Sequence, residues 1–87
     1  CGLTYKKNVA DIRNSIALKI LKNLKRKYRN LKGYDPLINH QSSIENGLIT
    51  SNKEFLKFKI YVVITKHKKL LVKLNKIKNK RIINIFN

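Results

Sequence analysis

The sequence predicts an α/β fold built on a parallel sheet, and three stretches carry that expectation. Ile60-Tyr61-Val62-Val63-Ile64-Thr65 is an unbroken apolar, β-branched run, the form taken by a strand covered on both faces. Before it, Ile16, Ala17, Ile20, Leu21, Leu24 and Tyr28 recur at helical spacing, with Lys19, Lys22, Asn23 and Arg26 on the other side. After it, Leu70, Leu71, Leu74 and Ile77 repeat the pattern over a lysine-rich face. Helices that alternate with apolar strands argue for right-handed crossovers in one sheet.

In chain order, Gly2 permits a sharp bend, and Asn14 or Ser15 can cap the first helix, expected to run about three and a half turns with its apolar stripe on the sheet. Lys6, Lys7 and Arg13 fall near that helix start, where free N–H groups and the dipole favour an anion. A solvated basic loop is the plainer alternative. Leu31 to Tyr34 reads as a short strand closed by Asp35-Pro36, because proline cannot donate to a ladder. Residues 39–47 suit a loop or one helical turn, and Leu48-Ile49-Thr50 a brief strand. Ser51 and Glu54 have capping-box spacing for a short helix. Ile82 to Phe86 reads as the last strand.

Eighty-seven residues allow one small domain, 1–87, with a modest core. The net charge of +17 comes from 21 Lys+Arg against 4 Asp+Glu. Such a balance points to a polyanion. Two features oppose nucleic acid as the main partner. Lysines number 17 and arginines 4, whereas base reading and bidentate phosphate contacts favour arginine. Lysine, asparagine and isoleucine together supply 40 of the 87 residues, as an AT-rich coding sequence would. A small basic nucleic-acid-binding protein is therefore the alternative reading. One cysteine excludes an internal disulfide and offers no metal cluster. No apolar run approaches the ~20 residues of a membrane span, so no membrane partner and a cytoplasmic location are expected.

The residues also carry a family likeness. Gly2-Leu3-Thr4-Tyr5-Lys6, then Asp11-Ile12-Arg13-Asn14-Ser15, then Tyr34-Asp35-Pro36, resemble the C-terminal domain of NAD-dependent nucleotide-sugar dehydrogenases. That is the UDP-glucose/GDP-mannose dehydrogenase family, and the wording leans toward its UDP-N-acetylhexosamine branch. Val62 to His67 resembles the family's apolar strand ending near a histidine.

This resemblance implies a Rossmann-like, three-layer domain whose first strand is largely missing, with Cys1 its small apolar remnant. It implies a fragment, since the family's catalytic cysteine, NAD domain and central helix would precede it. An isolated fragment with that strand absent is expected to be poorly stable. Tyr5 and Lys6 match an aromatic-lysine pair that touches the UDP-sugar, and Arg13 an arginine that reaches the NAD cofactor. Asp11 either orients Arg13 or bonds nearby backbone. Lys7 is read as solvated, Asn14 and Ser15 as caps, and His40 as uninformative. His67 and Asp35 fall on the ligand-facing edge of such a sheet, His67 being read as structural or solvent-facing and Asp35 as a turn residue. No catalytic or metal-binding residue is expected. In many relatives the last strand ends in an acidic residue followed by a basic one; Asn84, Ile85, Phe86 and Asn87 stand there instead.

The resemblance therefore implies the substrate-nucleotide-binding part of an enzyme that oxidises a UDP-sugar C6 hydroxyl to a carboxylate. The fragment would be inactive alone. Its partners would be the UDP-sugar, the N-terminal dehydrogenase domain and a second subunit.

Overall fold

The structure is a computed structural model and describes residues 1–4 and 15–85. Tyr5, Lys6, Lys7, Asp11, Arg13, Asn14, Phe86 and Asn87 lie outside the described residues.

Helix α1 spans Ile16–Lys25, and Ser15 caps it: the backbone there is extended, and Oγ accepts from the Leu18 N–H at 3.0 Å. The helix is shorter than the periodicity predicts, since Lys27 and Tyr28 both donate to the Leu24 carbonyl and the chain turns away. Its buried face also differs from the predicted stripe. Ala17, Leu18 and Leu21 are buried, whereas Ile16 is 70% exposed and Ile20, Leu24 and Tyr28 are also exposed. Only half of the apolar arc meets the core. Ile20, Leu24 and Tyr28 border an open groove.

Helix α2 spans His40–Glu45, where a loop or single turn was expected. Asn39 caps it through Ser42 N–H at 2.8 Å. Gly47 ends it at φ +67, with Leu48 N–H on the Ser43 carbonyl and Gly47 N–H on the Ile44 carbonyl. That pair of bonds is a Schellman cap, which requires the left-handed conformation glycine adopts freely. Helix α3 covers Asn52–Phe55, with the Glu54 N–H on Ser51 Oγ at 3.1 Å as the capping spacing requires. Helix α4 covers Lys68–Asn75 and buries Leu70 and Leu74.

Two strands form a parallel sheet, β1 Ile60–Val63 and β2 Arg81–Asn84, with Ile60 opposite Arg81 and Val63 opposite Asn84. The strong run thus pairs over a shorter stretch than 60–65, because its ladder stops where β2 ends. Neither 31–34 nor 48–50 forms a ladder strand among the described residues, contrary to expectation. They contribute single rungs: Gly2 N–H to Tyr34 O at 2.9 Å, and Ile49 N–H to Gly33 O at 2.8 Å. Pro36 has no N–H to extend the pairing. On the other side of Gly2, the Cys1 nitrogen donates to Val62 O and Ile64 N–H donates to Cys1 O. The extended segments therefore lie in the order 48–49, 33–34, 1–2, β1, β2. This small α/β arrangement is compatible with a Rossmann-like domain.

Alternation along these segments sends neighbours to different apolar clusters. Leu48 and Ile64 join Leu3, Ala17, Leu18, Leu21 and Ile38 under α1. Ile49 and Val63 join Phe55, Tyr61, Leu70 and Leu74 beside α3 and α4. Gly33 has a packing reason: a Cβ there would stand 2.3 Å from Leu21 Cδ2 and 2.9 Å from Leu48 Cδ2. A β-branched residue would push α1 off the core.

Candidate functional site

The first, second and fourth extended segments of the chain order end close together, and each delivers one polar side chain to a common point. Gly2 makes the turn that brings Thr4 in. Its φ is +79, and a Cβ would lie 2.1 Å from the Thr65 carbonyl oxygen, so only glycine fits. Asp35 follows the Tyr34 rung, and His67 follows β1.

Asp35 is the centre. Its Oδ2 accepts from the Leu3 N–H at 2.6 Å and the Thr4 N–H at 3.0 Å, and Oδ1 accepts from the Leu37 N–H at 2.8 Å. His67 Nε2 lies 2.9 Å from the same Oδ2 and 2.8 Å from Thr4 Oγ1. A carboxylate only accepts, so Nε2 is the donor toward it. Thr4, Asp35 and His67 are 2%, 3% and 0% exposed. In such a dry place each bond is strengthened, and each lost partner is costly. His67 also occupies the N-cap position of α4 without a side-chain cap bond, since its ring is turned to Asp35 and Thr4.

A second set of bonds closes the base of the segment that holds the sequence-predicted residues. The Ser15 hydroxyl donates to the Leu3 carbonyl and accepts from Leu18 N–H, and the Thr65 hydroxyl donates to the Thr4 carbonyl at 3.2 Å. Residues 5–14 therefore leave from Thr4 and return to Ser15 with both ends tied into one buried hub. Tyr5, Lys6 and Arg13 lie on that segment, outside the described residues, so their side chains are not placed.

A comparison with known families places the chain. The chain matches the UDP-binding domain of the UDP-glucose/GDP-mannose dehydrogenase family over residues 1–87. It belongs to that family. No curated protein and no solved structure gave a significant match.

Within the UDP-binding domain, the hub ties the ends of three segments together. His67 and Asp35 are closed to solvent and meet partners already in the chain. Cys1 is half-buried against the Phe55 cluster. Among the described residues, no group of three His, Cys, Asp or Glu could hold a metal ion. None of the described helices is long and apolar enough to cross a membrane.

Sequence reasoning missed the joint role of Thr4, Asp35 and His67. The sequence marks Asp35 as a turn residue and leaves His67 structural or solvent-facing; the structure buries His67 completely, and the meeting of the two depends on which segments are neighbours. The signal was present: a carboxylate, a histidine and a hydroxyl each stand at the carboxyl end of an apolar or motif segment.

Proposed function

We propose that this chain is the substrate-nucleotide-binding portion of an NAD-dependent nucleotide-sugar 6-dehydrogenase, which oxidises a UDP-sugar C6 hydroxyl to a carboxylate. The observation that carries the reading is the family match over the whole chain, and the buried hub that ties down both ends of residues 5–14 supports it. In this reading residues 1–87 form one three-layer Rossmann-like domain. Lys6 neutralises substrate phosphate, and Tyr5 forms a wall against the nucleotide. Arg13 suits a phosphate or ribose oxygen of NAD, because a guanidinium grips such oxygens in fixed geometry.

NAD would be held mainly by an N-terminal dehydrogenase domain, and hydride chemistry would belong there. This chain would position the substrate against it, a contribution domain closure commonly makes. By itself it would be inactive, and its location would be cytoplasmic. The partners are the UDP-sugar, the dehydrogenase domain and a second subunit.

The test is a titration with UDP, a UDP-sugar and inorganic polyphosphate, followed by NMR at low and moderate salt. A uridine-selective response that survives salt and is lost in Lys6→Ala supports the reading. An equal response to every polyanion overturns it.

A further inference from the structure

Thr4 immediately precedes the segment that carries Tyr5, Lys6 and Arg13, and each of its polar groups is engaged. Its N–H donates to Asp35 Oδ2 at 3.0 Å, and its hydroxyl lies 2.8 Å from His67 Nε2. Its carbonyl accepts from the Thr65 hydroxyl at 3.2 Å. The first two bonds are buried and hold the hub together. The third is only part-buried, at the rim, where the chain leaves the hub.

That third bond has a narrower effect. A peptide unit is planar, so holding the Thr4 carbonyl sets the plane through which the chain passes out of the hub. The donor is itself firmly placed. Thr65 stands just past β1, its own carbonyl takes the His67 N–H at 3.1 Å, and that same carbonyl closes against Gly2. The preceding carbonyl, that of Leu3, is taken by the Ser15 hydroxyl from the far end of the same segment. Two hydroxyls from different elements therefore grip successive carbonyls. Ser15 also caps α1 through the Leu18 N–H, so losing its hydroxyl would disturb the helix. Thr65 can be changed at less cost, because valine keeps the branched shape and a part-buried carbonyl can turn to water.

We propose that Thr65 is a positioning residue for nucleotide binding, a role that rests on Lys6 meeting substrate phosphate as proposed above. Acting through the Thr4 carbonyl, its hydroxyl orients segment 5–14 to receive the diphosphate of a UDP-sugar before the ligand arrives. A segment already oriented gives up less freedom on binding, so the tie is felt as affinity. Thr65 itself touches no ligand in this arrangement. It acts through Thr4 on Lys6.

The test is a double-variant cycle on the 87-residue chain: Thr65→Val, Lys6→Ala and both together, with Thr65→Ser as the conservative variant. UDP affinity is read by NMR titration at moderate salt, beside urea unfolding and amide exchange of residues 5–14 without ligand. Thr65→Val is expected to weaken UDP binding about five- to tenfold and to quicken exchange in 5–14, with the unfolding midpoint close to the parent. Thr65→Ser keeps the donor and should return affinity to within about twofold of the parent. In the Lys6→Ala background, Thr65→Val should cost less than about twofold, because the group being positioned is gone. An equal loss in both backgrounds would mean that Thr65 acts independently of Lys6 and would overturn the proposal. Unchanged UDP affinity in Thr65→Val beside an impaired Lys6→Ala would overturn it too, as would a valine variant that no longer folds, which would make the hydroxyl structural. Failure of the underlying reading looks different: the parent gives no uridine-selective response, or Lys6→Ala leaves it intact whatever stands at 65, and the proposal falls with it.

Discussion

Asp35 Oδ2 lies 2.9 Å from His67 Nε2, and the two side chains are shielded from solvent. The same oxygen holds the Leu3 and Thr4 amides, so one carboxylate joins the opening turn to the end of β1. Replacing Asp35 by Ala would remove the acceptor of the buried Leu3 and Thr4 amides and of the part-buried Leu37 amide, and should cost about 3 kcal/mol or more in urea unfolding. His67→Ala should cost a similar amount, because it leaves the buried carboxylate without its ring partner. The two changes should not add: the double variant is expected to fall short of the sum by about 1–3 kcal/mol. Glu45→Gln, on the exposed end of α2, should stay within about 0.5 kcal/mol of the parent.

How much of this was readable beforehand depends on the range of the interaction. Local signals were legible: the Ser15 and Ser51 caps, the Gly2 bend, the apolar run that became β1, and the Leu70 and Leu74 face of α4. Long-range ones were not. Whether Ile20 and Leu24 are buried depends on what covers α1, and the periodicity of the helix itself is silent on that. Leu31 to Tyr34 has strand-like composition but pairs only through single rungs, since a ladder needs a neighbour along its length. The hub at Asp35 required the segment order, which rests on Cys1 and Gly2 lying between 33–34 and β1. The residues proposed for ligand contact rest on the family likeness and, for Lys6 and Arg13, on their place near a helix start.

Glycine positions separate two kinds of constraint. Gly2→Ala meets both a φ of +79 and a backbone carbonyl 2.1 Å from the new Cβ, neither of which a side-chain shift relieves. The expected loss is about 3 kcal/mol or more, with Thr4 displaced from the hub. Gly47→Ala keeps only the left-handed penalty, since its nearest neighbour is Lys25 Nζ at 3.7 Å. About 1 kcal/mol is expected there. Thermal denaturation of the two variants side by side checks the ordering.

In a polypeptide that begins at Cys1, the amino group makes stability depend on pH in a defined window. Burial lowers it from 8.0 to about 6, while the Asp35 charge works in the raising direction. Between these values the unfolded chain binds a proton that the folded chain does not. Stability is therefore greatest above pH 8, falls as pH drops toward 6, and is level below that so far as this group is concerned. The full change is about 2–3 kcal/mol. Acetylating the Cys1 nitrogen should abolish this slope, measured as urea midpoints from pH 6 to 8.5.

Salt separates ligand recognition from the general pull of a chain with net charge +17. The exposed lysines of α1 and α4, among them Lys19, Lys22, Lys68 and Lys69, attract any polyanion. That attraction rests on many weakly placed charges and counterion release, so its logarithm falls steeply with the logarithm of salt. A nucleotide held by Lys6 on a segment tied at Thr4 and Ser15 engages few charges and should show a shallower slope. Lys6→Ala should then weaken UDP binding roughly tenfold and leave polyphosphate affinity nearly unchanged. Replacing Lys19 and Lys22 by Gln should do the reverse. Both slopes can be read by fluorescence titration between 20 and 200 mM salt, in the range where ionic screening changes most. Equal slopes for UDP and polyphosphate would place UDP on the same diffuse lysine surface and remove Lys6 from its proposed role.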